Sequence, residues 1–220
     1  MDVRALFQEG LNLGREREYE RALDCFERVL QTDPGQSLAR YNRGVCLMRL
    51  ERFNDSAAAF KQLLSERPGD PDVFNNLGKI LSVSGNPEQA RTIFEKTLQM
   101  APDHADALCR LGILHGRNFG NVEVARELFE KALALNENLA HAHQGIAICH
   151  HHNGNHDKAA GHLRRVIELN PNSAAAHNHL GIALMKLGED AAADEHFKEA
   201  LRINPDAKLR HENLWLFHEE

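Results

Sequence analysis

Residues 71–104 read PDVFNNLGKILSVSGNPEQARTIFEKTLQMAPDH. Apolar side chains recur at helical spacing over residues 74–81, and the Gly-Asn-Pro of residues 85–87 interrupts the pattern. Glycine suits the left-handed residue that follows a helix, and proline suits the first turn of the next one. A second apolar pattern covers residues 90–98 and ends before Pro102. The segment therefore predicts two helices joined by a short turn.

The same pattern returns along the chain with a period of 34 residues, and one interval carries an extra residue. The marker residues at this spacing are Pro34, Pro68, Pro102, Pro171 and Pro205, and Gly10, Gly44, Gly78, Gly112 and Gly181. A fixed period of this length indicates a stacked array in which each unit contacts only its neighbours. Such an array is typically a surface that holds other proteins, so the period makes an enzyme a less favoured interpretation.

The bulk composition excludes several functional classes. The chain has 220 residues and a formal net charge of −6, so we expect no general affinity for nucleic acid. No run approaches the 18 apolar residues of a membrane span, and the first residues lack the apolar core of a signal peptide. The four cysteines show no CxxC spacing, which favours free thiols and a cytoplasmic location.

Two sets of residues resemble the tetratricopeptide repeat family. The first set is Phe74-x-x-Leu77-Gly78, Leu108-x-x-Leu111-Gly112 and His177-x-x-Leu180-Gly181; the second is Ala90-x3-Phe94, Ala125-x3-Phe129 and Ala193-x3-Phe197. The resemblance implies an all-α, right-handed superhelical solenoid of helix-turn-helix repeats that forms a single domain over residues 1–220. Its expected parts are six repeats at 3–36, 37–70, 71–104, 105–139, 140–173 and 174–207, and a capping helix at 208–219.

The resemblance also implies that the first helix of each repeat lines a concave groove. Its central row is Leu11, Val45, Lys79, Ile113, Ile148 and Ile182, which we expect to form an exposed apolar stripe. Amide side chains run beside this row, and an amide can pair with an extended peptide backbone. The candidate peptide-binding residues are Tyr41, Asn42, Val45, Arg49, Asn75, Asn76, Lys79, Arg110, Ile113, Arg117, Ile148, Asn178, Ile182 and Lys186.

The rim of the expected groove is basic. The residues in question are Arg15, Arg49, Arg117, His152 and Lys186. One interpretation is that these cations bind an acidic partner. The other is that they stabilise the negative end of the helix dipole, since basic residues favour the last turn of a helix. The arrangement that grips the C-terminal carboxylate of heat-shock chaperones in some members of the family is not matched in any three consecutive repeats.

The chemistry of a metal or catalytic site is weakly supported. Cys149, His150, His151, His152 and His156 are the most suggestive cluster, but consecutive histidines on a helix point about 100° apart. We therefore expect no metal and no cofactor, with the histidine-rich fifth repeat as the place where a metal alternative stays open. No phosphate-binding, serine-hydrolase or zinc-protease motif occurs, and we expect no enzymatic activity.

Two further expectations concern packing. Glu9 and Arg43 occupy a position that is usually leucine, and we expect them to pair across the interface of repeats one and two. The apolar residues Leu214 and Trp215 should pack against the second helix of repeat six, near Phe197.

The leading hypothesis is a non-catalytic adaptor that holds a peptide segment of another protein in the groove. The expected segment is acidic or mixed in charge, and neither nucleic acid nor a membrane is expected as a partner. The alternatives are a self-assembling scaffold and a regulatory or docking part of a larger enzyme or of a secretion or assembly complex. A metal-binding protein is the third alternative.

Overall fold

The computed structural model describes residues 2–205, and the predicted capping helix at 208–219 lies outside the described residues. These residues form twelve α-helices arranged as six consecutive hairpins, so the predicted all-α, helix-turn-helix architecture is confirmed. They fall into two compact units, divided between Pro102 and Asp103. Odd-numbered helices are called first helices below, and even-numbered helices are called second helices.

Unit 1 contains hairpins one to three. Its helices are α1 (Val3–Arg15), α2 (Tyr19–Thr32), α3 (Ser37–Arg49), α4 (Phe53–Glu66), α5 (Pro71–Val83) and α6 (Pro87–Met100). Unit 2 contains hairpins four to six. Its helices are α7 (Ala105–Asn118), α8 (Val122–Leu135), α9 (Ala140–His152), α10 (His156–Leu169), α11 (Ala174–Lys186) and α12 (Asp190–Ile203).

Each hairpin turns at one left-handed residue. Gly85 takes this conformation with φ of 76°, as its place after α5 predicts. Hairpins one and two carry Arg17 and Glu51 at the same repeat position, with φ of 63° and 58°. Side chains with a Cβ rarely adopt this conformation, so the first two turns are strained relative to a glycine turn.

The two helices of a hairpin approach closely because a glycine faces a phenylalanine ring. A Cβ added at Gly78 would lie 2.6 Å from Cε1 of Phe94, which is itself fully buried. Four further pairs repeat this contact: Gly10 with Phe26, Gly44 with Phe60, Gly112 with Phe129 and Gly181 with Phe197. The recurring glycine of the sequence therefore marks the closest approach of the two helices.

Hairpin five has different residues at the contact between its two helices. Ala147 replaces the glycine, and Leu163 stands on α10 where the other hairpins carry phenylalanine; both side chains are fully buried. A second glycine, Gly145, instead faces Phe129 of the preceding hairpin, where an added Cβ would lie 2.4 Å from the ring. Phe129 is thus held between glycines of α7 and α9.

The expected ion pair between Glu9 and Arg43 is wrong. Nε of Arg43 donates to Oε1 of Glu27 on α2 at 3.1 Å, whereas Glu9 lines a cleft with Arg21 and Arg28. The physical reason is that α2 packs between α1 and α3 and presents a carboxylate directly to Arg43. Arg43 is therefore paired with a carboxylate of the neighbouring second helix, without a charge from α1.

Candidate functional site

All fourteen candidate peptide-binding residues lie on first helices. Tyr41, Asn42, Val45 and Arg49 are on α3, and Asn75, Asn76 and Lys79 are on α5. Arg110, Ile113 and Arg117 are on α7, Ile148 is on α9, and Asn178, Ile182 and Lys186 are on α11. We call the surface formed by the residues on α3 and α5 the first-helix face of unit 1.

Tyr41 and Asn76 meet across two adjacent first helices. Nδ2 of Asn76 donates to the Tyr41 hydroxyl at 2.7 Å and to the backbone oxygen of Asp72 at 2.9 Å. The Tyr41 ring packs edge-on against Phe60 of α4, which anchors it to the core. Both amide protons of Asn76 are used by the fold, so its Oδ1 is the atom that can accept a hydrogen bond from a ligand.

Asn42 is also partly committed to the fold. Its Nδ2 donates to the backbone oxygen of Leu38 one turn earlier, at 2.8 Å. Val45 is half-buried against the apolar cluster around Phe60 and Leu63, and Arg49 is exposed at the end of α3. The face thus presents amide oxygens, part of an aliphatic side chain and a cation within two turns of one helix.

The expected exposed apolar stripe is wrong for unit 2. Ile113, Ile148 and Ile182 are only 5%, 4% and 1% exposed. Removing such a side chain from water is favourable by about 1.5–3 kcal/mol, which drives these residues into the protein interior. Leu11 and Val45 of unit 1 are half-buried, so the aliphatic row is partly accessible only in that unit. Asn178 is likewise buried, and its Nδ2 has no partner among the described residues.

The basic character of the candidate set is reduced by a neighbouring acid. Nε of Arg110 lies 3.4 Å from Oδ1 of Asp106, one turn earlier on α7, and the arginine side chain is 15% exposed. The Asp106 carboxylate compensates part of the positive charge of the Arg110 guanidinium. Arg110 is therefore a weaker attractor for an acidic ligand than its sequence position predicts.

The predicted rim cations are all exposed and all stand in the last turn of a first helix. Nη1 of Arg15 also donates to Oδ1 of Asn12 at 3.1 Å. This placement fits stabilisation of the helix dipole, and it equally leaves the charges accessible to a ligand. Both interpretations of the rim therefore stay predictions.

The cysteines of the described chain are free and buried. Burial raises the pKa of Cys46 to about 11, and burial followed by the charge of Glu123 raises the pKa of Cys149 to about 12. A thiol with such a pKa stays protonated near neutral pH and is a poor nucleophile. Cys46 and Cys149 therefore behave as small apolar side chains.

The histidines of unit 2 are arranged in pairs that the sequence reasoning missed. His143 contacts His162, and His177 contacts His196, each through a hydrogen bond of 3.0 Å between Nδ1 atoms. The signal was available, because both members of the second pair follow those of the first by 34 residues. Within residues 2–205, no group of three or more histidine, cysteine or acidic side chains is placed to hold a metal ion.

Among the described residues, each helix is too short or too polar to cross a lipid bilayer.

Matches to known proteins extend along the repeats of this chain. Two family models, both described as tetratricopeptide repeat, match residues 7–71, 117–174 and 153–208 and residues 71–138. One curated relative is the protein CTR9 homolog of Arabidopsis thaliana, 33% identical over 105 residues, or 44% of this chain and 9% of that protein. The chain spans a fifth or less of the length of the first curated relatives that it matches.

Solved structures share the fold at lower identity. Cut9–Hcn1, a hetero-tetramer of APC/C, superimposes with a TM-score of 0.88 at 18% identity over 97% of this chain and 42% of that chain. PilW, a type IV pilus biogenesis factor, superimposes with a TM-score of 0.77 at 21% identity over 94% of this chain and 96% of that chain.

Proposed function

Since the chain belongs to the tetratricopeptide repeat family, whose members mediate protein–protein interactions, we propose that it is a non-catalytic adaptor. It binds a peptide segment of a partner protein on the first-helix face of unit 1. The observation that carries this proposal is the bond between Tyr41 and Asn76, which fixes an amide on that face. A fixed amide binds at a lower entropic cost than one that a ligand must first order.

The groups on this face support an extended peptide as the ligand. Oδ1 of Asn76 and Oδ1 of Asn42 are acceptors, because their Nδ2 groups donate to backbone oxygens one turn earlier. Acceptors of this kind pair with backbone N–H groups, which every residue of an extended peptide except proline supplies. Val45 lies about one turn after Asn42 on α3, is half-buried, and offers an apolar contact to a side chain of that peptide.

Charge supports a segment with acidic residues. Arg49 is exposed at the end of α3, and the chain as a whole carries a net charge of −6. A local cation on an acidic protein attracts the acidic residues of a ligand to one position and fixes the direction in which the ligand binds. The proposed partner is thus another protein with an acidic or mixed segment, and it is neither nucleic acid nor a membrane.

We also propose a cytoplasmic location, which the state of the thiols supports. Four cysteines are free and buried in the described residues, and a reducing compartment maintains cysteines in that form.

The experiment is a selection followed by variants. Peptides are selected from a displayed random library on the full chain, and the affinity of the best synthetic peptide is measured by fluorescence anisotropy. We expect Asn42→Ala and Arg49→Ala each to weaken binding about 5- to 20-fold, which corresponds to the loss of one hydrogen bond or one charge contact. The matched controls Asn54→Ala and Lys61→Ala, on the exposed side of α4, should bind as the parent does. Equal losses for the control variants would overturn the proposal.

A further inference from the structure

Hairpins five and six contain the same histidine pair. In hairpin five, Nε2 of His143 lies 3.0 Å from the backbone oxygen of Glu137, and its Nδ1 lies 3.0 Å from Nδ1 of His162. The pair joins the first turn of α9 to the middle of α10. It therefore ties together the two helices of one hairpin through a single ring-to-ring contact.

Hairpin six repeats each part of this arrangement one period later. Nε2 of His177 lies 3.1 Å from the backbone oxygen of Pro171, and its Nδ1 lies 3.0 Å from Nδ1 of His196. The ring centroids are 5.3 Å apart in the first pair and 5.2 Å apart in the second. The recurrence of the same atoms and distances one period later indicates that the repeat itself specifies this contact.

The tautomers of both pairs follow from the acceptors. A backbone oxygen can only accept, so Nε2 of His143 carries a proton and its Nδ1 is unprotonated in the neutral ring. Nδ1 of His162 must then be the donor of the ring-to-ring bond. The same reasoning assigns the donor of the second pair to Nδ1 of His196. Each pair is satisfied when both rings are neutral.

Protons change this contact in two steps. One added proton is tolerated, because it binds at Nε2 of His162 or His196, whose Nδ1–H continues to donate to the neutral ring of His143 or His177. A second proton places two N–H groups and two positive charges face to face at 3.0 Å, where no hydrogen bond can form. A pair that is doubly protonated must therefore separate.

The earlier hairpins lack this chemistry at the same repeat positions. Hairpin three has Phe74 and Ile93, and hairpin four has Leu108 and Leu128. Apolar pairs do not take up protons, and among the described hairpins a histidine pair stands at these two repeat positions in the last two alone.

We propose that the two histidine pairs form an acid-sensitive latch, which holds the helices of hairpins five and six together near neutral pH and releases them when both rings of a pair are protonated. The latch loosens unit 2 while unit 1 stays folded. It operates independently of any peptide bound to the first-helix face of unit 1.

The charges around the latch determine how readily it takes up protons. His150 of α9 stacks on His162 with centroids 5.8 Å apart, and Lys158 and Arg165 of α10 line the same cleft. Glu130 of α8 is the acidic group that faces this pair. The second pair is faced by Arg164 of α10 and by Glu195 and Glu199 of α12. The first pair is therefore surrounded mainly by cations, whereas the second pair faces one cation and two carboxylates.

The direction of the pH effect follows from burial. Burial is the largest cause that lowers the pKa of His162 to about 4, and His143 and His150 lower it further against the opposing effect of Glu130. The pKa of His196 is lowered mainly by burial and then by His177 and Arg164. An unfolded histidine titrates near pH 6.5, so the unfolded chain binds more protons between that value and about pH 4. Stability is thus complete above pH 6.5 and is lost as the pH falls through this window.

The first test uses the wild-type chain with ¹⁵N-labelled histidine rings. We expect His143 and His177 as Nε2–H tautomers near neutral pH, and His162 and His196 as Nδ1–H tautomers that stay neutral at a pH where the same chain in concentrated urea has charged histidines. If His162 and His196 were Nε2–H tautomers, or were charged at that pH, the latch would be refuted.

The second test measures amide exchange in each hairpin, corrected for the intrinsic effect of pH. From pH 7 to pH 5, protection of α10 and α12 should fall at least about tenfold more than that of α2 and α4. Replacing the pairs with the residues of hairpin three, as His143→Phe with His162→Ile and His177→Phe with His196→Ile, should abolish this difference at α12 and reduce it at α10. Part of the effect at α10 remains because burial lowers the pKa of His151 to about 4, and this ring packs against His156 of α10. A uniform loss across all hairpins, or an unchanged difference in the replaced chain, would contradict the proposal. The ring spectra of the wild-type chain decide the matter if a replaced chain does not fold.

Discussion

The Asn76 side chain donates a 2.7 Å hydrogen bond to the Tyr41 hydroxyl, and this bond joins α5 to α3 on the face where we propose that a peptide binds. Recognition and stability are therefore coupled at this point of unit 1. A substitution of Asn76 changes the fold as well as the surface, so binding losses at this residue need a stability measurement beside them. Asn42 and Arg49 are cleaner probes of the face, because Asn42 bonds within its own helix and Arg49 is exposed at the end of α3.

Removing the Tyr41 hydroxyl should destabilise unit 1. In Tyr41→Phe, Nδ2 of Asn76 keeps its bond to the backbone oxygen of Asp72 and loses its bond to the hydroxyl. Asn76 is only 6% exposed, so water cannot readily replace the lost bond. We expect a loss of about 0.5–1.5 kcal/mol in the free energy of unfolding, measured by urea denaturation. Tyr19→Phe at the start of α2 is the matched control and should change little. A neutral Tyr41→Phe would mean that the bond contributes nothing to the stability of unit 1.

The glycine–phenylalanine contact makes a steric prediction. A methyl group at Gly78 would clash with the buried Phe94 ring, so Gly78→Ala should cost about 1–3 kcal/mol of stability. Gly14 lies on α1 with open space around it, and Gly14→Ala should instead stabilise by about 0.5–1 kcal/mol through helix propensity. Thermal melts of the two variants should shift in opposite directions. If both melting temperatures shifted in the same direction, the close approach of Gly78 to Phe94 would not explain the effect on stability.

The strained turns of hairpins one and two predict stabilising substitutions. Arg17→Gly and Glu51→Gly should each raise the free energy of unfolding by about 0.5–1 kcal/mol, because φ near 60° costs a residue with a Cβ about 1–2 kcal/mol and glycine offsets part of this by its own entropy. Glu16→Gly is the control at the neighbouring position, where φ is −78°, and it should be neutral or destabilising. Denaturant midpoints check the order of the three variants; a destabilised Arg17→Gly would contradict the expected strain.

The exposed cation of the face predicts a rate effect. Arg49→Glu should slow association with an acidic peptide selected on the wild-type chain, and rising salt should weaken wild-type binding, because exposed charges are screened over about 8–10 Å at physiological ionic strength. Lys61→Glu makes the same charge change on α4 and should leave the association rate nearly unchanged. Stopped-flow traces at two salt concentrations provide the comparison. Salt-independent binding would assign Arg49 to stabilisation of the end of α3 alone.

The hairpins were predictable because local rules specify them. The residues 85–87 gave the turn after α5, and the recurring glycine gave the close contact with Phe94. Partners across helices were less predictable, since a repeat period places Arg43 on a helix but does not say which neighbouring carboxylate reaches it. Arg43 pairs with Glu27 for that reason.

The burial of individual candidate residues could not be predicted from the repeat pattern either. Equivalent positions hold the half-buried Val45 and the buried Ile148, because accessibility depends on all the surrounding side chains. The histidine pairs show the opposite case. The 34-residue spacing of His162 and His196 was visible, but only the structure shows that each ring faces a second histidine across the hairpin.

Site-specific photo-crosslinking tests the proposed peptide site most directly. A photoreactive amino acid is placed at position 42 on α3 in one chain and at the exposed position 58 on α4 in a second, and each is irradiated with the peptide selected on the wild-type chain. The account predicts a crosslink from position 42 and none above background from position 58. A crosslink from position 58 alone would place the peptide on the second helices and contradict the account.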